Sequence, residues 1–504
     1  MKYRPAGYEA LIERYGLDVI PNWHRSFVLT ESQTHHVEKT PDDGILEIFP
    51  AKYRTGDSVG EQLEFAFKYD GVNLSILVQI FDRIDENELL SYLRSKPTGK
   101  YVRRIWFFYE YLTGRRLPLE DLKQGNYVDL LETERYYTIE KGESVKRQRV
   151  RNNLLGTEIF CPIIRRTDLL KKMEEENLTQ ACSELIANYP QEILRRALAY
   201  LYTKETKSSF AIEHEEPGTT RTERFVSLLQ EAQREDFCEK ERFLELQNLI
   251  VDPRFADEGY RKSQNYVGEA IALGRERIHY ISPKPEDIES LMEGLILCHQ
   301  RMQEGGVHPI VHASIISYGF VFLHPFEDGN GRIHRLLIHN ILARRGFTPP
   351  KIMFPISAAM LKDPVAYDAS LEAFSLKTVP MVEYTLDEEG IMLVHNDTVL
   401  WYRFMDMTAQ VEALYGFVVE TIRTELPEEL LFLAGYDRAK KAIGEIVDMP
   451  DRLVDLFIRF VLQNHGKLSK SKKEKYFDQL SDREISMMQE VVIEAFGMEG
   501  RRVE

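Results

Sequence analysis

The chain has 504 residues, 43% of them hydrophobic, and 81 acidic side chains against 65 basic ones, a formal net charge of −16. That length holds two or three domains with sizeable cores, and the acidic balance argues against a nucleic-acid partner, because neutralising phosphates needs an excess of Lys and Arg. Cys161, Cys182, Cys238 and Cys298 are far apart with no Cys-x-x-Cys pair, which argues against a disulfide scaffold or a zinc ribbon. Met1 to Leu17 is polar and no run is long and apolar enough for a membrane span, so a cytoplasmic protein without a membrane partner is expected.

In chain order, residues 1 to about 60 read as irregular, with breaks such as Pro41-Asp42-Asp43-Gly44. Gln62 to Phe67 and Val72 to Leu93 carry apolar residues at helical spacing. Arg103 to Leu112 reads as an aromatic helix destined for a core, and the basic cluster Lys146 to Arg151 as a solvated loop. Residues 168–206 read as two helices broken at Tyr189-Pro190. The helical pattern runs on through Ser208 to Glu216 and stops at Pro217-Gly218. Ser209 and Glu213 are four apart and share a helix face; taken by themselves they read as a frayed acidic helix end. Residues 221–250 read as one amphipathic helix, and alternation on both sides of Gly274 suggests a β-hairpin over about 264–284. Val307 to Leu323 is almost continuously apolar and reads as a buried helix. His308 and His312 have a metal-ligand spacing, but no Glu follows His308, so these, like His334 and His339, read as structural.

The chain turns on His324-Pro325-Phe326-Glu327-Asp328-Gly329-Asn330-Gly331-Arg332-Ile333-His334-Arg335. Gly329 and Gly331 let the backbone turn sharply and approach a ligand. The run from Arg332 to Arg345 is helical in pattern and closes at Gly346. The loop therefore delivers free N–H groups at a helix N-terminus, where phosphates bind. Arg332 and Arg335 share a face there and offer forked donors. Asp328 supplies a hard oxygen for Mg²⁺, with Mn²⁺ as a substitute. His324 titrates near neutrality and can take a proton from a hydroxyl. No Gly-Lys-Ser/Thr follows, so this is not a Walker loop.

The stretch resembles the signature of the Fic family, His-Pro-Phe-x-Asp/Glu-Gly-Asn-Gly-Arg-x-x-Arg, and meets every fixed position. The resemblance implies transfer of AMP from ATP to a protein hydroxyl, with ATP as substrate, His324 as catalytic base, and Asp328, Gly329, Asn330, Gly331, Arg332 and Arg335 around the triphosphate and its metal. Ser209 and Glu213 resemble the Ser/Thr-x-x-x-Glu of family members that inhibit themselves through a helix, although His214 stands where the family has Gly or Asn. Glu213 would then compete with the γ-phosphate for Arg335. Residues 261–268 resemble the family's Arg-x-x-Gln-x-x-Val-Gly, which makes the hairpin the flap. It places Val267 and Gly268 beside the nucleotide and gives a docking strand for the target protein. Tyr367 matches a Tyr that borders the base; Ser375 stands where the family has Asn.

Val399 to Thr424, Leu431 to Ile446, Asp451 to Gln463 and Arg483 to Phe496 read as helices, interrupted by the basic stretch Asn464 to Lys475. The expected fold is mainly α: a Fic-type helical core with a small β-hairpin flap, flanked by N- and C-terminal helical regions. Its expected division is 1–200, 201–385 (inhibitory helix about 206–217, flap about 264–284) and 386–504. The expected function is an autoinhibited protein adenylyltransferase acting on Ser, Thr or Tyr hydroxyls of targets or itself. Removal of AMP at the same site, or a nucleotide-sensing protein whose C-terminal helices bind DNA or a partner, are the alternatives. Homo-oligomerisation is left open.

Overall fold

The N-terminal residues expected to be irregular form a sheet. In the computed structural model, which describes residues 3–40, 44–272, 275–350 and 352–498, β1 (Tyr3–Ala6), α1 (Tyr8–Tyr15), β2 (His24–Leu29), β3 (His36–Lys39) and β4 (Ile45–Phe49) come first. The strand order is β1-β2-β4-β3, with β2 and β4 parallel and the other neighbours antiparallel. Strands of four to six residues are too short for alternation to stand out. Their stabilisation is tertiary: Ala6, Val28 and Phe49 close on Phe65, and buried Asp70 accepts from the Tyr8 N–H at 3.1 Å and from the Ser26 hydroxyl.

The helices that follow obey their sequence signals. α2 (Val59–Tyr69) starts at a Ser58–Glu61 capping box. α3 (Leu74–Arg83), α4 (Glu86–Ser95) and α5 (Lys100–Thr113) complete this core, with Trp106, Phe107, Phe108 and Tyr109 buried as expected. A small sheet of β5 (Val128–Asp129), β6 (Glu143–Val145) and β7 (Val150–Asn152) comes next, in the order β5-β7-β6. It corrects the solvated-loop reading of Lys146 to Arg151. Arg147 lies over the Trp106 ring and forks onto Glu110, so a cluster that looks solvated is held by a planar, doubly bonding guanidinium.

Residues 168–206 hold parts of three helices rather than two: α6 (Asp168–Glu175), α7 (Leu178–Ala187) and α8 (Gln191–Ile212). The extra break is the Asn177 cap on α7, whose side chain accepts from the Gln180 N–H. The expected single helix over 221–250 is likewise two, α9 (Thr219–Glu231) and α10 (Lys240–Ile250). Between them, buried Asn340 donates to the carbonyls of Ala232 and Glu235, both at 2.8 Å, and accepts from the Phe237 N–H. These bonds serve backbone groups that a continuous helix would have satisfied itself.

The remainder comprises the hairpin β8 (Tyr266–Ala272) and β9 (Arg275–Ile281), α11 (Pro285–Glu304), α12 (Pro309–Leu323), α13 (Asn330–Arg344), α14 (Ile356–Lys362), α15 (Pro364–Thr378), a second hairpin of β10 (Tyr384–Leu386) and β11 (Met392–Val394), α16 (Val399–Arg403), α17 (Thr408–Glu420), a π-helical turn over Thr421–Glu425, α18 (Leu426–Ile446), α19 (Asp451–Gln463), α20 (Lys470–Tyr476) and α21 (Asp482–Ala495). Gly274, the expected centre of the first hairpin, lies outside the described residues.

The fold is mainly helical, with small sheets, and divides into two compact units. The first holds residues 1–176, 219–345 and 363–415. At its centre α12, apolar all round, packs between α11 and α13. The second holds 177–218, 346–362 and 416–504; in it α8 packs on α14 and α18, and α18 on α19 and α21. Among the described residues no helix is long and apolar enough to cross a membrane.

Candidate active site

The site is built at the corner between α12 and α13. His324 caps the C-terminus of α12 in the left-handed region, φ 49° and ψ 58°, with its N–H on the Phe320 carbonyl at 2.9 Å. Its side chain is half-buried and Nδ1 lies 3.1 Å from the Val321 carbonyl. Desolvation pushes its pKa down to about 4, so at neutral pH the ring is uncharged. Nδ1–H then donates to Val321, and Nε2 keeps a lone pair for a proton.

The loop beyond it is closed from inside. Buried Asn330 donates from Nδ2 to the Phe326 carbonyl at 2.8 Å and accepts from the Phe326 N–H at 3.1 Å. Its side chain therefore shapes the turn. The N–H groups of the first turn of α13 have no acceptor within the helix, an arrangement that suits an anion. Gly329 sits just before them at φ +90°, where a Cβ would also lie 3.1 Å from Val251; only glycine is unstrained there. Arg332 is fully buried and donates from Nη2 to Asp328 Oδ1 at 2.7 Å, and the same oxygen takes the Gly329 N–H at 2.6 Å. Two donors thus fix Asp328 through one oxygen, leaving Oδ2 on a side chain that is 52% exposed. A hard carboxylate oxygen held in place beside a helix N-terminus suits Mg²⁺ or Mn²⁺.

Arg335 is buried one turn further on, with Nη1 3.5 Å from the Tyr367 hydroxyl. Tyr367 stands against this arginine. The α15 residues that face a cavity beside His324 are Asp368, Leu371, Glu372 and Ser375. That cavity, about 310 Å³, is closed on the flap side by Val267, His279 and Tyr280 and on the α12 side by Val321 and Phe322. Gly268 lies at a bulge of the hairpin, where a Cβ would come within 3.0 Å of the Arg277 carbonyl. The structure therefore brings His324, Val267, Asp328, Arg332 and Arg335 to one corner of the first unit.

Arg261 opens the Arg-x-x-Gln-x-x-Val-Gly match, and its role is not legible in the sequence. It is buried, donates to the carbonyls of His324 (2.8 Å), Ser263 (2.7 Å) and Pro283 (2.5 Å), and its N–H reaches the Pro325 carbonyl at 2.8 Å. Desolvation lowers its pKa to about 10, which leaves it charged. One guanidinium thus ties the loop to the foot of the flap. Asn265 adds a bond from Nδ2 to the Phe326 carbonyl at 3.3 Å, and the Tyr280 hydroxyl donates to the Phe322 carbonyl. A fixed Arg before a strand was the visible signal; carbonyl partners cannot be read from a sequence.

Ser209 and Glu213 lie in the second unit, at the C-terminus of α8. Ser209 is buried and Glu213 half-buried. His214 adopts φ +57°. Its N–H bonds the Ala211 carbonyl and the Glu215 N–H bonds the Phe210 carbonyl, both at 3.0 Å. This is a complete Schellman ending with His in the left-handed position usually given to Gly or Asn. His308 and His312 both make contacts within the first unit. His308 caps α12 by accepting from the Ile310 N–H and pairs with the Tyr415 hydroxyl, and His312 meets His299 at 3.0 Å. Asp236, Cys238 and His299 lie close enough to share a cation, but the Asp236 carboxylate already takes the Cys238 N–H, His299 and Arg344.

Residues 237–342 match the Fic/DOC family. The chain carries a Fic/DOC domain. It is similar to the protein adenylyltransferase Fic of Drosophila mojavensis, at 36% identity over 99 residues covering 20% of this chain and 18% of that protein. It is also similar to the protein of the same name from Aedes aegypti, at 34% over 117 residues covering 23% and 21%. The chain thus spans about a fifth of the length of these relatives. Among solved structures, a Fic family protein from Desulfovibrio desulfuricans G20 aligns at 19% identity and TM-score 0.36, covering 66% of this chain and 84% of that one. A Fic domain containing signaling protein from Bacteroides thetaiotaomicron VPI-5482 aligns at 19% and 0.37, covering 51% and 96%. The matched stretch runs from the turn before α10 to within α13, so the Fic/DOC domain includes the flap and the whole corner between α12 and α13.

Proposed function

We propose that this protein is an adenylyltransferase that moves AMP from ATP onto a Ser, Thr or Tyr hydroxyl of a target protein or of itself. The observation that carries the reading is the corner itself: a neutral histidine with one nitrogen fixed and the other open, beside a helix N-terminus carrying two buried arginines. The triphosphate sits on the loop Gly329 to Gly331, taking the N–H groups of Asn330 and Gly331, with Arg332 and Arg335 on its outer phosphates. Asp328 holds Mg²⁺ or Mn²⁺, which when bound neutralises phosphate charge. The base enters the 310 Å³ cavity beside His324, bordered by Val267 of the flap, with Gly268 following it in the strand, while Tyr367 braces Arg335. His324 Nε2 takes the hydroxyl proton as that oxygen bonds the α-phosphorus. The α-phosphorus–oxygen bond to pyrophosphate breaks, and pyrophosphate leaves.

The same reading includes regulation. Glu213, with Ser209 on the same face of α8, competes with the γ-phosphate for Arg335; a forked Arg–carboxylate pair is worth a few kcal/mol, enough to bias the site by tens of fold. It also includes three regions, 1–200, 201–385 and 386–504, with target protein docked along the flap in the cytoplasm. The test is transfer of labelled AMP. His324→Ala should lower transfer by at least about 10²-fold while ATP affinity stays within threefold. Glu213→Gly should raise transfer, self-modification included, by tens of fold. Transfer that survives His324→Ala would refute the base assignment, and an unchanged rate in Glu213→Gly would refute the competition.

A further inference from the structure

Beside the flap stands a second hairpin that the proposed reaction does not use. β10 and β11 pair in the register Tyr384↔Val394, Thr385↔Leu393 and Leu386↔Met392. One face is committed. Met392 is 1% exposed and, with Leu386 and Val394, joins a cluster that includes Ile281, Ile278 and Tyr266 of the flap strands. The turn of the second hairpin approaches the flap too, since a Cβ on Gly390 would lie 3.6 Å from the Tyr266 hydroxyl. The two hairpins therefore make one continuous platform within the first unit.

The outward face is unlike ordinary surface. Ile391 is 56% exposed and Leu393 is 60% exposed, two large apolar side chains on one short strand and its lead-in. The turn that presents them is rigid: Asp387 Oδ1 accepts from the N–H groups of Glu389 and Ile391, at 3.0 and 2.8 Å. Glu388 and Glu389 at its tip are exposed. Apolar side chains rimmed by exposed carboxylates, on a strand with a free edge, suit an extended polypeptide that is both apolar and basic.

We infer that the β10–β11 hairpin extends the flap into a docking surface for an extended target segment in which Lys or Arg alternates with apolar residues near the hydroxyl to be modified. The inference rests on the proposed transfer reaction for its meaning, but its test is binding, which needs no chemistry. Fluorescein-labelled peptides carrying a central Thr or Tyr are titrated with the full chain and followed by anisotropy, in a Lys/Val set and a Glu/Val set. The Lys/Val peptides should bind at least tenfold tighter, and their affinity should fall as NaCl rises from about 50 to 500 mM. Glu388→Lys with Glu389→Lys should reverse the preference. Ile391→Ser with Leu393→Ser, both exposed and so without cost to folding, should weaken binding about tenfold with ATP affinity unchanged. Equal binding of the two peptide sets, or a preference that survives the charge reversal, overturns the inference. Tight, charge-dependent binding with no AMP transfer to those peptides in Glu213→Gly protein would overturn the transfer reaction and leave the docking surface standing.

Discussion

At the scale of single residues, the proposed base is tuned by burial. A free imidazole titrates near 6.5; desolvation beside Phe322 and Tyr280 brings His324 down to about 4. The sign matters. A histidine whose folded pKa lies below its unfolded value is uncharged throughout the physiological range, and the unfolded chain takes the proton first as pH falls. Stability therefore declines between about 6.5 and 4. The acid limb of kcat/KM for AMP transfer should fall near pH 4, not near 6.5, when measured in the Glu213→Gly background with subsaturating ATP. A limb near 6.5 would mean that the ring is solvated in the working enzyme. The chain's own letters gave this residue its identity and its neighbours in the loop, because the loop is one contiguous stretch. They gave no hint of Arg261's four backbone links, nor of the cavity wall on α15. Arg261 reaches the His324 carbonyl 63 residues away, the cavity wall comes from Asp368 to Ser375 on α15, and carbonyl acceptors leave no trace in side-chain pattern.

At the scale of elements, legibility tracks how much of the stabilisation is local. α12 could be read because it is apolar all round, and α13 because a glycine-flanked loop starts it and Gly346 follows it. The N-terminal strands could not, because their pairing is set by contacts such as Asp70 to Ser26, 44 residues apart. The end of α8 falls between these cases. Pro217-Gly218 marked the stop, but the closing residue is His214, a side-chain-bearing residue at φ +57° where glycine is unstrained. A non-glycine residue there costs about 1–2 kcal/mol, against about 0.5–1 kcal/mol of extra unfolded-state entropy for glycine. The steric term wins. His214→Gly should therefore stabilise the protein by about 0.5–1 kcal/mol, read as a higher urea midpoint by far-UV circular dichroism. A lower midpoint would show that the imidazole makes a contact worth more than the strain it carries.

At the scale of the whole molecule, two compact units with separate cores need not melt together. The chain supplies its own reporter for this. All three tryptophans, Trp23, Trp106 and Trp401, fall in the first unit, whereas both units are helical. Tryptophan fluorescence therefore follows one unit and far-UV circular dichroism follows both. The second unit also holds a weak point that can be struck alone. Glu425, fully buried at the end of the π-helical turn, pairs with Lys204 at 2.7 Å and with Lys362. Burial works against its charge, but the hydrogen bonds from the two lysines outweigh that and hold its pKa below the ordinary glutamate value. Its stabilising effect is thus present at neutral pH and is lost as pH falls through that lowered value. Without Glu425, Lys204 keeps Glu429 and the half-exposed Lys362 keeps Glu428, so the cost is that of lost charge-assisted bonds, about 1–3 kcal/mol. Glu425→Gln should therefore split the urea transition at pH 7: the circular-dichroism curve should gain an early phase, while the tryptophan curve keeps its midpoint. If both curves move together by the same amount, the units unfold as one cooperative body. If only the early phase appears, the rise in AMP transfer proposed for Glu213→Gly should persist undiminished in the Glu213→Gly, Glu425→Gln double variant.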